Sequence, residues 1–416
     1  MPIKRVVVTG LGTINPLGND VPSYFANLDK GVCGVSLIDR FDATLFKTRF
    51  ACQVKGFNPE DYGMDRKEAR KNDRFSQYAV AAADEAVKDS GLVPEEEDLT
   101  RIGVLVGSGV GGVETLEQEL FEYKEGAAPR FSPYLIPKMI SNICSGTIAI
   151  KYGFRGPNYS ISSACASSSH CIGAACDMIR LGRADVMLAG GSEASICISG
   201  IGGFNALHAL STNNDEYMTA SRPFDNTRDG FVMGEGSGVL VLEEYEHAKR
   251  RGAKIYAELA GTSYSCDAHH ITAPDPDGVA SSEAMTGALR DAGLTPADVD
   301  YINTHGTSTK LGDVAELNAI KKVFGDSVYS VSIGATKSMT GHLLGAAGAI
   351  EAIACVHVIR DGIIPPTINF REEDPDIDYR LDLTLSGPKH RTVKVAMSNN
   401  FGFGGQNACL IIKSLQ

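Results

Sequence analysis

Short runs of apolar residues, each bounded by glycine or another turn-forming residue, recur along the chain. They are candidates for buried strands and lie at residues 6–8, 102–106, 186–189, 239–242, 301–303, 393–397 and 409–412. Between them, residues 78–91 and 282–293 carry apolar positions at the three- to four-residue spacing of amphipathic helices. Strands that are apolar throughout are buried on both faces, and their alternation with helices is typical of a sheet covered by helices. The pattern therefore predicts an α/β fold.

An internal repeat organises the chain. Residues 160–175 read SISSACASSSHCIGAA, and residues 332–347 read SIGATKSMTGHLLGAA. The two segments align without a gap, and this register places Cys165 opposite Lys337. A repeat of this kind predicts two related halves that face each other, with the functional site between them.

The second half begins near residue 256. We therefore expect an N-terminal half, residues 1–255, that carries the cysteine of the repeat. The C-terminal half, residues 256–416, carries the lysine and two candidate histidines.

Cys165 lies where an extended segment changes into a run of small, helix-forming residues. Backbone N–H groups at a helix N-terminus favour a thiolate, so we expect the pKa of this thiol to fall from about 8.5 toward neutrality. A thiolate at such a turn can act as a nucleophile. The alternative is a small buried hydrophobic residue, which is the commoner role of a cysteine.

Two histidines in the C-terminal half are candidates for the same site. His305 directly follows the predicted strand at residues 301–303, and ligands of open α/β sheets bind at such strand ends. His342 lies in the second copy of the repeat. Asp313 and Glu316 are three residues apart on the helix predicted after His305, where they are either site residues or charges at a helix start.

Residues 398–405 read SNNFGFGG and place Phe401 and Phe403 among glycines after a predicted strand. This pattern predicts either a loop that lines or gates an apolar pocket or a tight hairpin. The glycines at residues 107–112 match a dinucleotide-binding pattern, but no strand with a terminal acidic residue follows. We interpret them as a loop whose glycines let the backbone approach the pocket.

Composition excludes several function classes. The net charge is −12, with 51 acidic and 39 basic residues, which argues against a nucleic-acid-binding protein. Ten cysteines without a C-x-x-C pair fit reduced thiols better than a disulfide framework, and we assign no metal site. No signal peptide is recognisable, and no apolar run reaches the roughly 18 residues of a membrane span. We expect a cytoplasmic protein that makes no membrane contact.

One basic cluster stands out against the acidic composition. Its residues are spaced so that a helix would place all four cations on one face: Arg66, Lys67, Arg70 and Lys71. Such a face could hold an anionic partner, or it could be a solvated helix end.

Six motifs, taken in order, carry a family resemblance: VVVTGLG at residues 6–12, SACASSS at 163–169, RPFD at 222–225, HGTST at 305–309, KSMTGH at 337–342 and GFGG at 402–405. Along nearly its whole length the chain resembles the β-ketoacyl-acyl carrier protein synthases, the condensing enzymes of type II fatty acid synthesis. The resemblance implies a thiolase-like fold, with duplicated halves in a five-layered α-β-α-β-α arrangement, and a homodimer.

The resemblance also implies the reaction. A malonyl group on acyl carrier protein would lose carbon dioxide and condense with an acyl group held by Cys165, which elongates a fatty acid. His305 and His342 would stabilise the enolate, and Lys337 would support their geometry. The carrier protein would bring its own phosphopantetheine and dock on the basic cluster, so no further cofactor is expected.

The remaining implied residues fall into three groups. They are Phe403 as an oxyanion-hole donor and gate, Glu316, Glu351 and Asp313 as supporting residues, and Thr307, Thr309, Phe401, Val110 and Phe204 as substrate-binding residues. Two departures from close family members are His208, where arginine is expected, and Gln406, where threonine is more usual.

Four alternatives share parts of this pattern. A ketosynthase of a type II polyketide or aryl-polyene pathway has the same nucleophile turn and two histidines. A degradative thiolase needs a second cysteine in a late glycine turn, whereas Cys409 lies in an apolar strand-like run. An initiating synthase would have asparagine at the position of His342, and the non-catalytic chain-length subunit of synthase pairs lacks the cysteine.

Overall fold

A computed structural model describes residues 3–123, 128 and 130–415. The strands within these residues are β1 (Val6–Ile14), β2 (Ser36–Leu37), β3 (Phe50–Ala51), β4 (Ile102–Gly107), β5 (Asn158–Tyr159), β6 (Val186–Glu193), β7 (Gly236–Glu244), β8 (Ala257–Cys266), β9 (Tyr301–Asn303), β10 (Ser332–Gly334), β11 (Ile363–Ile364), β12 (Lys389–His390), β13 (Val395–Gly402) and β14 (Gln406–Lys413).

The helices are α1 (Val21–Asp29), α2 (Arg66–Ala69), α3 (Arg74–Ser90), α4 (Val113–Glu122), α5 (Leu135–Met139), α6 (Ile143–Tyr152), α7 (Ser167–Arg180), α8 (Ile198–Ala206), α9 (Tyr245–Arg250), α10 (Val279–Ala292), α11 (Lys310–Phe324), α12 (Lys337–Thr340) and α13 (Ala347–Asp361). Short 3₁₀ turns span Pro59–Tyr62, Pro94–Glu96, Leu99–Arg101, Tyr217–Thr219, Pro296–Asp298, Gly325–Ser330 and Leu344–Ala346.

The main sheet repeats one strand order twice. Its N-terminal part runs β5-β4-β6-β7-β1, and its C-terminal part runs β10-β9-β13-β14-β8. In each part the first three strands are parallel and the last two are antiparallel to their neighbours. The two parts join where Val7 and Val8 of β1 pair with Glu258 and Ala257 of β8. Each part therefore has the same topology, as the sequence repeat predicts.

Helices cover and separate the two parts of the sheet. The repeat helices α7 and α13 pack on each other and on strands of both parts. Helix α3, with α6 beside it, covers β1 and β7, whereas α10, with α11 beside it, covers β8 and β14. The prediction of an α/β fold with duplicated halves in five layers is confirmed.

Close packing of α3 on β1 explains the glycines of the first motif. A Cβ atom at Gly10 would lie 2.2 Å from the carbonyl oxygen of Ala86, and one at Gly12 would lie 1.9 Å from that of Ala82. No side chain fits at either position, because interiors are already packed as densely as organic crystals. The outer helix layer can therefore approach the strand only where the strand has glycine.

The two copies of the sequence repeat differ at one place. In the first copy α7 is continuous from Ser167, whereas the second copy breaks after α12, at Gly341, whose φ is 66°. The segment after the break is extended: the N–H of His342 donates to Val232 O at 2.8 Å, and the N–H of Gly234 donates to His342 O at 2.8 Å. The break therefore turns a helical position into a strand-like one and frees the His342 side chain to enter the space between the halves.

All the predicted strands and both predicted helices are present in the described residues, although the strand predicted at 393–397 begins at Val395. Only part of the basic cluster lies on a helix. Helix α2 is a single turn that ends at Ala69, Arg70 caps it, and Lys71 lies in the turn that follows. The local reason is the cap of the next helix, which begins only three residues later at Arg74 behind Asp73. No helix of the described residues is long and apolar enough to cross a membrane.

Candidate active site

A pocket of about 470 Å³ lies between the two halves. It brings together nine of the residues singled out from the sequence: Cys165, Phe204, His305, Thr307, Thr309, Glu316, His342, Phe401 and Phe403. These residues come from both halves of the chain. The site is therefore formed where the duplication predicts it.

Cys165 sits on a tight, strained turn between β5 and α7. The preceding residue, Ala164, has a φ of 50°, a conformation that costs a non-glycine residue free energy and is found mainly at functional sites. The Ser167 hydroxyl braces the turn, since it donates to Ala164 O at 2.7 Å and accepts from the N–H of Ser163 at 2.9 Å. The Cys165 residue is 8% exposed. The turn therefore presents one nearly buried sulfur to the pocket.

The expectation of a lowered thiol pKa is wrong for this conformation. Burial raises the pKa of Cys165 to about 12, and the negative charge of Glu193 acts in the same direction. The charge of Lys337 and a hydrogen bond from the Phe403 N–H favour the thiolate but do not compensate for burial. Cys165 is therefore held as a neutral thiol beside two features that stabilise its ionised form.

His305 lies on the turn between β9 and α11, and a buried carboxylate fixes this turn. Glu316 accepts hydrogen bonds from the backbone N–H groups of His305 and Gly306, both at 2.8 Å. The amide of Asn399 donates to the same carboxylate at 3.3 Å. Burial raises the pKa of Glu316 to about 7, and the backbone donors oppose this shift. Glu316 thus supports the histidine turn, although it also borders the pocket.

The two histidines meet inside the pocket. Their rings are perpendicular, and the ring centroids of His305 and His342 are 5.3 Å apart. Burial, followed by the charge of Lys337, lowers the pKa of both imidazoles well below 6.5. Among the described residues, Nδ1 of His305 and both ring nitrogens of His342 are buried without a hydrogen-bond partner. The pocket therefore offers neutral imidazoles with free polar atoms to a bound molecule.

Lys337 forms a buried ion pair with Glu351, one helix further along the chain. Both side chains are at most 2% exposed. Asn400 donates to the second oxygen of Glu351 at 2.6 Å and, through its own oxygen, accepts from Ser169 of α7 at 2.5 Å. This chain of contacts connects the two repeat helices behind the histidines.

Asp313 does not reach the pocket. Its carboxylate accepts from the N–H groups of Ser308, at 3.1 Å, and Phe224, at 3.0 Å, and pairs with Arg228 at 3.2 Å. Burial raises the pKa of Asp313 to about 6 despite these partners. Its position explains two of the motifs, because it holds the HGTST turn against the RPFD segment.

The late glycine-rich stretch is a hairpin. Strands β13 and β14 pair up to Gly402 and Gln406, and the turn between them carries Phe403. Phe401 lies 5.7 Å from the His305 ring, and Phe403 lies 6.3 Å from Phe204, measured between ring centroids. Of the two readings made from the sequence, the structure shows a hairpin whose aromatic side chains line the pocket.

Thr307 and Thr309 border the pocket, and their hydroxyls are 3.0 Å apart. Val110 does not line it; its side chain is about half exposed on the isolated chain. His208 is exposed at the pocket rim, with a φ of 55°. Cys409 is buried in β14 within the core under α10 and does not line the pocket, as expected from its apolar surroundings.

The basic cluster lies on the surface. Arg66, Lys67, Arg70 and Lys71 are all exposed, with Arg66 paired to Glu60 at 2.8 Å. The Nζ atom of Lys71 lies 5.9 Å from the centroid of the Tyr134 ring. In the described part of the chain no group of histidine, cysteine and acidic side chains is arranged to hold a metal ion.

Sequence reasoning missed three residues of the site region. Phe231 stacks edge-on against His342, with ring centroids 5.3 Å apart. Asn400 completes the Lys337 network, and Glu193 binds the backbone of the glycine loop after β4. A polar residue at the end of an apolar strand, as in the segment VMLAGGSE that ends at Glu193, was the available signal.

Two family models match the chain. "Beta-ketoacyl synthase, N-terminal domain" matches residues 3–248, and "Beta-ketoacyl synthase, C-terminal domain" matches residues 256–371. The chain is 49% identical over 417 residues to 3-oxoacyl-(acyl-carrier-protein) synthase 2 of Vibrio cholerae, an alignment that covers 100% of both chains. It is 48% identical over 413 residues to the protein of the same name from Synechocystis, with 99% of each chain covered.

Solved structures give the same result. A beta-ketoacyl synthase from Burkholderia phymatum superposes with a TM-score of 0.91 at 37% identity, covering 99% of this chain and 100% of that one. A ketosynthase solved with its type II polyketide acyl-carrier protein superposes with a TM-score of 0.90 at 37% identity, covering 100% of both chains. The resemblance drawn from the motifs is confirmed, and the chain belongs to the beta-ketoacyl synthase family.

Proposed function

We propose that this protein is a β-ketoacyl-acyl carrier protein synthase that elongates fatty acids. In the reaction, malonyl-acyl carrier protein condenses with an acyl group on Cys165 to give β-ketoacyl-acyl carrier protein and carbon dioxide. One observation carries the proposal: a thiol on a strained turn shares a pocket with two neutral histidines whose buried nitrogens have no partner among the described residues.

Acyl transfer is the first step. The Cys165 sulfur attacks the thioester carbonyl of the acyl carrier, and the carbonyl oxygen becomes an oxyanion. The N–H groups of Cys165 and Phe403, both of which favour the thiolate form of Cys165, would donate to this oxyanion. The carbon–sulfur bond to the carrier breaks, the released thiolate takes the proton of Cys165, and the acyl group stays on the enzyme.

Decarboxylation of the malonyl thioester is the second step. The bond to the carboxylate breaks, carbon dioxide leaves, and the electron pair delocalises into the thioester carbonyl as an enolate. Neutral His305 and His342 would donate N–H hydrogen bonds to the enolate oxygen. Their lowered pKa values keep them as neutral donors, and Lys337 adds positive charge behind them.

Condensation completes the reaction. The enolate carbon attacks the acyl carbonyl on Cys165, and the same two backbone N–H groups stabilise the second oxyanion. The attack forms the new carbon–carbon bond. Collapse of the oxyanion re-forms the carbonyl and breaks the carbon–sulfur bond, which expels the Cys165 thiolate, and the thiolate recovers a proton from water. The products are the β-ketoacyl thioester and carbon dioxide, at the cost of one proton.

The carrier protein and the oligomeric state are part of the proposal. Carrier proteins of this kind are acidic, and the exposed cluster Arg66, Lys67, Arg70 and Lys71 is a basic patch on a chain of net charge −12. Opposite charges of this kind steer association and set its orientation. Thr307 and Thr309, in the pocket, would bind the phosphopantetheine arm, and Phe403 would act as a gate for the acyl chain.

A homodimer is supported by the surface around β5. This strand is last in the sheet, and within the described residues its outer edge has no partner strand. Helix α6 packs next to it, α5 packs on α6, and α4 packs on α5. These helices expose large apolar side chains, among them Phe121, Ile136 and Ile150. An apolar surface beside an open strand edge is typical of a subunit interface. Val110 and Tyr159 belong to this region.

Intact-protein mass spectrometry tests the proposal. Wild-type protein incubated with a medium-chain acyl carrier protein should gain one acyl mass, and malonyl carrier protein should discharge it as the β-ketoacyl product. Cys165→Ala should gain no mass, whereas Cys266→Ala, which removes an exposed thiol, should behave as wild type. Absence of any acyl adduct on the wild type, across a series of chain lengths, would contradict the proposal.

A polyketide ketosynthase would pass the same acylation test. Identity favours the fatty acid enzyme, at 49% for the Vibrio cholerae synthase against 37% for the polyketide ketosynthase structure. The products distinguish the two: the fatty acid enzyme releases after one condensation, whereas the other repeats the condensation without reduction.

A further inference from the structure

Glu193 is a fully buried carboxylate that the steps above do not use. It ends β6, and five donors converge on it. One oxygen accepts from the N–H groups of Gly109, at 2.8 Å, and Gly345, at 3.0 Å. The other accepts from the Ser108 hydroxyl at 2.9 Å, the Ser195 hydroxyl at 3.3 Å and the Val110 N–H at 3.3 Å. The glycine loop that resembles a phosphate-binding pattern thus binds an anion of the protein itself.

Three of the donors, on Ser108, Gly109 and Val110, belong to the loop after β4, on the Cys165 side of the pocket. Gly109 contacts the turn that carries Cys165: the Ser162 hydroxyl donates to Gly109 O at 3.2 Å. A Cβ atom at Gly109 would lie 3.3 Å from Ala164 O and 2.9 Å from the Glu193 carboxylate. The loop therefore packs directly behind the strained residue of the turn.

The Gly345 N–H belongs to the His342 side of the pocket. Gly345 lies three residues after His342, in the short turn that follows the helix break, and its neighbour Leu344 lines the pocket. A Cβ atom at Gly345 would lie 2.3 Å from Gly109 N and 2.8 Å from the Glu193 carboxylate. Backbone from the two halves therefore meets at van der Waals distance, and one oxygen atom bonds to both.

We infer that Glu193 is a positioning residue that fixes the His342 segment against the Cys165 turn. A carboxylate suits this role because it only accepts hydrogen bonds, and all five groups that bond to it are donors. An amide would direct its own N–H₂ at one of these donors. The inference rests on the proposed function, because it concerns the relative placement of the nucleophile and the decarboxylating group.

Glu193→Gln is the direct test. Acylation of Cys165 needs its turn and the N–H groups of Cys165 and Phe403 but not His342, so the acylation rate should stay within a few fold of wild type. Decarboxylation and condensation need His342 correctly positioned relative to the acyl group on Cys165. Misplacement of a reacting group by about 1 Å lowers the rate of such a step about 100-fold. The variant should therefore acylate and then stall, with the acyl adduct accumulating.

The pH dependence of thiol alkylation gives a second readout that does not depend on any acyl substrate. The charge of Glu193 raises the pKa of Cys165, so its removal should move the rate profile for iodoacetamide to lower pH. Gly345→Ala forces the same backbones apart but keeps the charge. It should slow condensation to a similar degree and leave the alkylation profile in place. These two variants separate position from charge.

Two controls bound the result. Ser108→Ala removes one donor from the same carboxylate and should give an intermediate loss of condensation; it also provides the test if Glu193→Gln does not fold. Glu117→Gln alters another glutamate that binds backbone N–H groups, at the start of α8, and should leave the ratio of condensation to acylation unchanged.

If Glu193→Gln loses acylation and condensation equally, and both losses follow a fall in thermal stability, Glu193 has only a structural role. That result would overturn the inference. Unchanged condensation would overturn it as well. A wild-type protein that never acylates would instead contradict the proposed function, and the alkylation profile of Glu193→Gln would still report on the charge that Glu193 places near Cys165.

Discussion

The imidazole rings of His305 and His342 stand at 90° to each other, with their centroids 5.3 Å apart, in the pocket that Cys165 also lines. His305 follows the end of β9, whereas His342 follows the helix break after α12. Their edges can therefore converge on one atom of a bound molecule, as two donors to a single oxygen require.

Replacing one ring separates the two chemical steps. We expect His305→Ala to lose about 100- to 1,000-fold in condensation, since one oxyanion donor is removed, while Cys165 still becomes acylated. Single-turnover assays that follow the acyl adduct and carbon dioxide release measure both steps. His390→Ala changes an exposed histidine on β12 and serves as the control. Near-normal condensation by His305→Ala would contradict the assigned role.

The rate of malonyl decarboxylation should not fall as the pH drops through 6.5. Both histidines have a pKa well below that value, so they remain neutral N–H donors there. An unperturbed histidine pair would instead be half protonated at about pH 6.5. Carbon dioxide release between about pH 8 and 5.5 measures this, and a decline centred on 6.5 would show that the imidazoles are not shielded from water.

The same pKa values make stability depend on pH. Below pH 6.5 the unfolded chain binds protons at these histidines and the folded chain does not, so the free energy of unfolding falls as the pH is lowered. The contribution is about 1.4 kcal/mol per histidine for each pH unit. The free energies of unfolding in urea should be measured for the wild type and for a double variant that carries His305→Gln and His342→Gln. We expect the two values to converge as the pH falls. Parallel curves would argue against the shift.

Breaking the ion pair behind the histidines should be costly. Glu351→Ala leaves the Lys337 charge buried without its partner, and loss of one member of such a pair destabilises proteins by about 3–5 kcal/mol. Chemical denaturation measures the change. Glu246→Ala removes the partner of Lys249 in an exposed pair with an N–O distance of 3.5 Å, and should cost less than about 1 kcal/mol. Similar values for the two variants would show that Lys337 is solvated or neutral.

Gly341→Ala tests the break in the repeat. Gly293 has a φ of 67° and a ψ of 31°, in the left-handed region, where alanine costs about 1–2 kcal/mol. Gly341 has a similar φ of 66° but a ψ of −173°, in a region that is essentially confined to glycine. Only at Gly341 would the Cβ atom also meet other groups, 2.8 Å from Cys52 Sγ and 2.9 Å from Val232 O. We expect Gly341→Ala to unfold at lower denaturant and to lose condensation, and Gly293→Ala to show the strain alone. Equal losses of stability in the two variants would mean that the groups around Gly341 move to accommodate the Cβ atom.

Much of this site can be predicted from the sequence because it depends on the order of residues along the chain. The ungapped repeat aligns Cys165 with Lys337, and short motifs place His305 and Phe403 at strand ends, which fold topology then brings to one edge. The repeat also predicted the two related halves, whereas their five layers were implied by the family resemblance and not by the strand pattern.

Properties that depend on packing in three dimensions were not predictable in this way. The pKa of Cys165 is raised because residues distant in sequence exclude water from it, and a helix N-terminus alone suggests the opposite direction. The contacts of Glu193 join residues more than 80 positions away on one side and 152 on the other, so no local pattern marks them. The shortness of α2 reflects the capping of α3 by Asp73, which competes with the helical spacing of the basic residues.

The interruption at Gly341 bears on how the two halves came to differ. The repeat still aligns without a gap across the break, so no residue was inserted or deleted to create it. Rotation about the backbone of one glycine redirected a side chain that in the other half, at His170, remains on a continuous helix. The two halves of a symmetric duplicate could thus acquire different catalytic side chains through substitutions alone, without a change in the length of this segment.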